Sequence, residues 1–450
     1  MGIRLPGATT GLFDPKMVEQ LIEVEKIPIE TAKKRKETVV AEKDEFNKVN
    51  DLVSALDTSL NALKNPTDFY KLKVESSHPD IIDGLVEGVS TIGSYEFEVR
   101  GLAKTEKELA YGFPDKDETP VGFGFMLVER ENGEDLEVVI DPGTTLQGVV
   151  NAINDTESGL KAMVINTKYK PNPYRLLVIS EDSGQEAKIQ IDEDTTFLEF
   201  KEQVSGRNLD VLFEDVPVTD NDNNLEDLVD NVVFNVKRSE PGTRVQVAIT
   251  HDIDATLESI KGMVDSYNEL TEFINDQFVI DGKTNKAGIL AGDSATRTVL
   301  RRLQGAVVQS VNTGGKYSTL GEIGITTDPK TGSLNYSEAK VKQALAEDYD
   351  SVAALFVQKR QSVGVAARLA TAVRDLRDPQ GGALRAKLKT LDKIIENQDR
   401  EIEQKQRTMA KKEEAIKRRF SSLESRLSGL KAQGDFLAQR FAAGGGGNKK

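Results

Sequence analysis

The sequence of 450 residues contains no cysteine, no tryptophan and only two histidines. Without cysteine the chain has no disulfide, no zinc–thiolate site and no thiol nucleophile. Two isolated histidines leave little scope for imidazole chemistry. Long apolar runs are also missing, and a membrane-spanning helix needs about 18 or more apolar residues in a row, so we expect no membrane insertion. Residues 1–16 have no apolar core, so we expect no cleaved secretory signal.

Charge is abundant and unevenly distributed. The net charge is −15, and residues 180–235 hold 16 Asp and Glu against 3 Lys and Arg. Residues 383–441 hold 15 Lys and Arg against 9 Asp and Glu. The acidic segment repels nucleic acid, and basic residues interspersed with acids are typical of the solvated face of a coiled coil. We therefore expect no nucleic-acid partner.

Apolar residues near the N-terminus recur at alternating steps of three and four. This heptad spacing predicts a helix with a narrow apolar stripe, which is stable only against a partner helix. Pro66 is expected to end this helix, and Pro28 to precede it, with Met17–Ile27 as a separate short helix. The residues assigned to coiled-coil packing here are Val39, Phe46, Val49, Val53, Leu56, Leu60 and Leu63.

A second, longer seam begins after the breaker at residues 379–382. Two consecutive steps of four near Ile416 form a stutter, which locally unwinds a left-handed supercoil. We assign to coiled-coil and subunit packing Leu388, Leu391, Ile395, Ile402, Ile416, Phe420, Leu423, Leu427, Leu430 and Leu437. The same seam also takes in Leu384, Met409 and Phe441.

One seam lies at each end of the chain, so the simplest fold pairs the two seams antiparallel. The C-terminal seam is the longer one, and we expect its surplus apolar surface to face other subunits. The alternative is an ordinary intramolecular hairpin.

Between the seams, the pattern changes to the period of two that predicts β-strands. Tyr95, Phe97 and Val99 alternate with charged residues, and Val245, Val247 and Ile249 alternate with Gln246 and Ala248. Thr145 is expected to cap one short helix within this region. From about Asp254 to Leu376 helical spacing returns, with Ser294 and Ser337 as expected caps and a hairpin over 324–334.

These patterns predict an α+β multidomain fold. A terminal antiparallel helical coiled coil and a helical bundle would carry two β-rich domains inserted in the middle of the chain. The expected domains are a terminal coiled coil (1–40 and 400–450), a helical bundle with a small hairpin (41–71 and 254–399), a β-rich domain (72–110 and 205–253) and an inserted α+β domain (111–204).

Motifs for chemistry are incomplete. The segment 312–317 is similar to a phosphate loop, but Ser310 and Tyr317 replace required residues. Asp220, Asp222 and Asn224 have calcium-loop spacing without the turn glycine or the final glutamate, so a solvated acidic turn is the alternative. The many carboxylates leave a glycosidase pair open, but no pair stands out. We predict no enzyme, no cofactor and no metal site.

Several segments resemble one known family in the same order over most of the chain. Near the N-terminus, Gly11–Asp14 is similar to the family's opening, although Phe13 interrupts it. Asn231 stands where the family has glycine. The other matching segments are Gly93–Ala103, Thr145–Asn154, Leu176–Ser180, Asn224–Asp252, Tyr267–Asn268, Leu320–Phe356 and the run from Phe420 to Leu437. The family is that of the flagellar filament cap, the hook-associated proteins of type two.

The resemblance implies a structural protein exported unfolded through the flagellar type III channel without a cleaved signal peptide. Several copies would form a homo-oligomeric cap at the extracellular tip of the filament, where the cap would guide flagellin folding and insertion. The implied partners are flagellin, hook–filament junction proteins and an export chaperone. The terminal helices would be legs and the β-rich domains a plate. The alternatives are a coiled-coil scaffold, or a secreted surface adhesin, without a flagellar role.

Overall fold

A computed structural model describes residues 15–130, 135–156, 159–279, 287–359 and 362–444. The helices in these ranges are α1 (Pro15–Lys64), α2 (Pro66–Phe69), α3 (Leu146–Asn154), α4 (Ile253–Phe278), α5 (Ser294–Val308), α6 (Glu338–Glu347), α7 (Tyr349–Phe356), α8 (Val365–Arg377) and α9 (Ala383–Gly444). The strands are β1 (Leu72–Ser76), β2 (Ile82–Val86), β3 (Gly93–Gly101), β4 (Lys107–Ala110), β5 (Gly122–Arg130), β6 (Leu136–Ile140), β7 (Leu160–Asn166), β8 (Tyr174–Ser180), β9 (Ile189–Thr196), β10 (Phe200–Val204), β11 (Leu209–Phe213), β12 (Val216–Asp220), β13 (Asn224–Val229), β14 (Val232–Val236), β15 (Arg244–His251), β16 (Ile325–Thr327), β17 (Leu334–Tyr336), β18 (Gln358–Lys359) and β19 (Ser362–Val363).

The chain forms two compact units. One, the helical unit, combines Met1–Asn65 with Leu257–Lys450, and the other, the β-rich unit, is Pro66–Thr256. This arrangement confirms the predicted α+β multidomain fold, with terminal helices and β-rich sequence between them. The finer division into four domains stays a prediction, and the Gly11–Asp14 motif lies outside the described residues.

In the helical unit α1 and α9 pack against each other. Their ion pairs show the antiparallel direction, because Lys43 pairs with Asp392 at 2.6 Å while Lys36, one heptad earlier, pairs with Asp399 at 2.6 Å. Helix α1 also packs against α8. The predicted pairing of the terminal seams is therefore confirmed.

Pro28 does not end a helix, contrary to the expectation from sequence. It lies inside α1, which runs unbroken from Pro15 to Lys64. Proline removes one backbone hydrogen bond at this point. Ile22 and Ile29, on either side of Pro28 in α1, pack in one cluster with Met409 of α9, and this packing stabilises the helix across the proline. The predicted stop before Pro66 is confirmed, because α1 ends at Lys64.

The helical unit also contains the predicted hairpin, formed by β16 and β17. Two side chains of α4 hold it in place: Tyr267 donates to the Gly332 carbonyl at 3.1 Å, and Asn268 both donates to and accepts from the backbone of Leu334. The cap of α5 is one residue from its predicted place. Asp293 rather than Ser294 accepts the first amide N–H groups, because only Asp293 precedes the helix with extended backbone.

The β-rich unit begins with two antiparallel sheets packed face to face. One has the strand order β1-β15-β3-β11-β12 and the other the order β13-β14-β2. The Phe97 ring, from the first sheet, lies 4.9 Å from that of Phe234, from the second, measured between centroids. As the period of two predicts, every second side chain of β3 and β15, including those of Phe97, Val99 and Val245, points into this core.

A second core lies between residues 110 and 200 of the same unit. The sheet β10-β4-β8-β7 and the sheet β6-β5-β9 enclose it together with α3. Thr145 caps α3 as predicted, with its hydroxyl accepting from the Gly148 N–H at 3.3 Å. Leu146, Val149 and Ile153 of α3 are fully buried in this core, so the short amphipathic helix closes one side of it.

Candidate docking surface on the paired terminal helices

The predicted seam residues are buried or half-buried where α1 and α9 lie beside the rest of the helical unit. Val39, Leu388 and Ile395 are half-buried. The remaining predicted residues in this stretch are buried, namely Phe46, Val49, Val53, Leu56, Leu60, Leu63, Leu391 and Ile402. These seam side chains are thus already covered within one chain. Its proposed share in subunit packing stays a prediction.

A half-buried ion triad that sequence reasoning missed joins three helices at this level. The Lys387 ammonium on α9 lies 2.6 Å from Glu42 of α1 and 2.8 Å from Asp293, the cap of α5. Burial alone would lower the pKa of Lys387, but its hydrogen bonds to Asp293 and Glu42 outweigh this, so the pKa is raised. Seam positions can be read from spacing, whereas this triad depends on the path of α5.

The apolar contact between α1 and α9 is smaller at the N-terminal end of α1. Val18, Ile22 and Ile29 of α1 form a small cluster with Met409 of α9, and Ile416 and Phe420 are only partly buried against it. Lys412 pairs across with Glu25 at 2.6 Å. Val18 is the first residue of α1 whose side chain is described, so the described part of α1 gives no further cover to α9 beyond Phe420.

Two apolar surfaces are exposed at this end. The first, which we call the open seam, consists of Leu423, Leu427, Leu430 and Leu437 on α9; Leu427 is half-buried and the other three are between 48% and 63% exposed. The second, the outer face of α1, consists of Leu21, Val24 and Ile27, which are between 46% and 62% exposed. Phe441, the expected end of the seam, lies outside the residues whose side chains are described.

Sequence reasoning missed the outer face of α1. Its signal is a second apolar row on α1, at positions 21, 24 and 27, beside the row at 18, 22 and 29 that packs on α9. A helix with two adjacent apolar rows is typical of a bundle with more than two helices. The geometry therefore offers docking surface for further helices.

Motifs that could have signalled chemistry have structural roles. In the acidic turn, Asp220 and Asp222 accept backbone N–H groups from Asp222 and Asn224, as the solvated-turn alternative predicts. In the loop similar to a phosphate loop, the Lys316 ammonium pairs with Glu347. No helix in the described ranges is long and apolar enough to cross a membrane.

One cluster of carboxylates could hold a cation. The side chains of Glu106, Glu108 and Glu202 offer oxygen atoms within 4.8 Å of one another. Glu106 already accepts from the Gly206 N–H, and the positive charge of Lys188 lies near enough to stabilise its ionised form. Burial raises the pKa of Glu106, so protonation can relieve the repulsion without an ion.

The paired terminal helices, with β-rich domains between them in the sequence, define a multidomain α+β protein whose helices leave docking surface exposed. Comparison with known proteins identifies its family. The family model described as the C-terminus of flagellar hook-associated protein 2 matches residues 206–432, and the model of its N-terminus matches residues 11–106. The chain belongs to this family of flagellar cap proteins, which are structural and non-enzymatic.

Individual relatives agree with the assignment. The chain is 26% identical over 375 residues to the B-type flagellar hook-associated protein 2 of Pseudomonas aeruginosa, covering 77% of each chain. It is 22% identical over 422 residues to the flagellar hook-associated protein 2 of Escherichia coli, covering 87% of this chain and 88% of that one. The fold is similar to the crystal structure of the flagellar cap protein FliD D1-D2-D3 domains from Escherichia coli, with a TM-score of 0.60 at 21% identity, covering 77% of this chain and 99% of that one.

Proposed function

We propose that several copies of this protein form a cap at the distal, extracellular end of the flagellar filament and guide the folding and insertion of exported flagellin. In this proposal the paired terminal helices are legs that dock on flagellin or on hook–filament junction proteins, and the β-rich unit is the plate. An export chaperone would hold the chain before it leaves the cell.

The observation that carries the proposal is the open seam. Its leucines continue the same heptad row that α1 covers elsewhere, yet they are exposed beyond Phe420. Covering an exposed leucine contributes about 1.5–3 kcal/mol at most, so a partner helix on a few such residues is held firmly enough to bind and weakly enough to exchange. A leg that must move as each subunit is added needs contacts of this kind.

The outer face of α1 supports the same role. Leu21, Val24 and Ile27 lie on the helix that pairs with α9, so an incoming helix could contact both α1 and α9. Helix-in-groove docking of this type uses apolar side chains at helical spacing. The seam residues Leu423, Leu430 and Leu437 are therefore the ones we assign to partner contact.

The test replaces Leu423 and Leu430 by glutamate in the same chain. Both side chains are exposed, so the protein should fold, but the buried charge in the docked state should prevent capping. We expect short or absent filaments, flagellin lost to the medium and no protein at filament tips by immunogold electron microscopy.

The matched control is Ser425→Glu with Ser428→Glu, which adds the same charge to the same helix on a face away from the seam. The control should give normal filaments. Normal filaments from the leucine variant, with the protein at their tips, would show that the open seam is not the leg contact.

A further inference from the structure

The sheet β6-β5-β9 of the β-rich unit has an unusual outward face. Its inward side chains, among them Met126, Val128 and Val138, are buried in the core. Because side chains alternate along a strand, the residues between them face outward. They include Phe123, Phe125 and Val139, which are between 40% and 67% exposed. Phe125 and Val139 are cross-strand partners, so they form one continuous apolar patch.

Negative charge borders this patch. Leu127, next to Phe125 on the same face, lies in register with Glu137 on one side and Asp192 on the other. Glu129 continues the row, and these three acids are exposed. Lysine and arginine are missing from the outward positions whose side chains are described. We call this surface the acid-bordered patch.

This charge pattern restricts what can cover the patch. The same patch of a second copy would set carboxylates against carboxylates, and like charges placed against each other across an interface are unfavourable. Nucleic acid and anionic lipid would be repelled in the same way. The occupant must bring exposed apolar side chains together with positive charge.

The end of α9 has both properties. Residues 417–440 contain six Lys and Arg (417, 418, 419, 426, 431 and 440) and two Asp and Glu (424 and 435), which is a net charge of +4. The same segment carries the exposed leucines of the open seam. A helix of this composition lies well on an apolar sheet face bordered by acids.

We propose that the end of α9 from one copy docks on the acid-bordered patch of a second copy. The contact is heterologous, with different surfaces on the two partners, so it links copies in series. It covers the open seam. If the function proposed above holds, self-association therefore competes with docking on the filament and keeps the legs covered before assembly.

Disulfide trapping tests the contact on the full chain, since the protein has no cysteine of its own. Phe125→Cys protein and Leu430→Cys protein, one of them carrying a mass tag, are mixed under mild oxidation. We expect the mixed dimer to form faster than either homodimer. The control replaces the first partner by Val216→Cys, exposed on β12 of the same unit, and should give several-fold less mixed dimer.

Charge reversal tests the acids. Glu137→Lys in the Phe125→Cys chain should reduce the yield of mixed dimer several-fold, whereas Glu226→Lys, an equal change at an exposed site on β13, should leave it unchanged. The yield should also fall as salt is raised.

Three results would overturn the proposal: equal trapping by Phe125→Cys and Val216→Cys, an equal effect of the two charge reversals, or preferential pairing of Phe125→Cys with itself. These outcomes are independent of the cap function. Glu137→Lys in the otherwise unchanged chain should still support normal filaments, so failure of the docking contact is distinguishable from failure of the proposed function.

Discussion

Lys387 offers a direct test of how the terminal helices are held to the helical unit. Its ammonium lies between Glu42 and Asp293, and its positive charge lies 6.0 Å from the centroid of the Phe46 ring. The three charged side chains are 24%, 27% and 11% exposed, so each is largely removed from water. The change Lys387→Ala leaves two carboxylates facing each other without a cation.

The expected loss follows from this burial. Removing one partner of a fully buried ion pair costs about 3–5 kcal/mol, and the partial solvent access of this triad reduces the expected loss to about 2–3 kcal/mol. At about 2–4 °C per kcal/mol for a unit of this size, the melting temperature of the helical unit should fall by about 4–12 °C at pH 7.

The loss should depend on pH in a definite direction. Burial would raise the pKa of Asp293, but Lys387 and the N–H groups of Thr296 and Ala295 outweigh it, so the pKa is lowered. A lowered carboxyl pKa stabilises the fold above the pKa of the unfolded chain, and this contribution is lost as pH falls through the folded pKa. The penalty of Lys387→Ala should therefore be largest near neutral pH and shrink in acid.

The pKa of Lys387 is raised, so its contribution is present below the unfolded pKa and is lost as pH rises through the folded value. Urea unfolding followed by circular dichroism at several pH values measures the loss of stability in acid and the loss in base. The control is Lys389→Ala, an exposed lysine on the same helix. Equal unfolding free energies for the two variants at pH 7 would refute the reasoning.

Two further predictions concern other contacts. Asn268→Ala removes the hydrogen bonds of 2.7 and 2.8 Å to the backbone of Leu334, so it should cost about 1–3 kcal/mol and speed hydrogen exchange at the Leu334 amide; unchanged exchange would contradict this. Glu106→Gln removes a buried carboxyl whose pKa is raised by burial. A raised folded pKa gives stability that is lost as pH rises through it, so Glu106 should make the β-rich unit less stable as pH rises, and Glu106→Gln should remove this part of the pH dependence. Urea unfolding of both proteins at several pH values measures it, and the same pH dependence in wild type and variant would contradict it.

Much of the fold could be predicted because the local periodicity of apolar residues defines it. The seam from Phe46 to Leu63 repeats with the helix, and the alternation through Phe97 and Val99 repeats with the strand, so each pattern identifies its own buried face. Thr145 could be predicted as a cap because the required hydroxyl lies directly before the helix it caps.

The features that the sequence analysis got wrong or missed have a common cause. At Pro28 local preference predicts a break, but packing of Ile22 and Ile29 on α9 outweighs the lost hydrogen bond. The triad of Lys387, Glu42 and Asp293 joins residues far apart in sequence, so spacing gives no sign of it. Contacts of this kind depend on where separate helices meet.

The pairing of the two apolar seams and the presence of sheets between them could be inferred from the sequence, because each pattern needs only nearby residues to define a face. Which seam positions are covered depends on the folded arrangement of the helices. The leucines at 423, 430 and 437 satisfy the same heptad as Leu391 but are exposed, since the cover of each slot depends on how far the partner helix reaches.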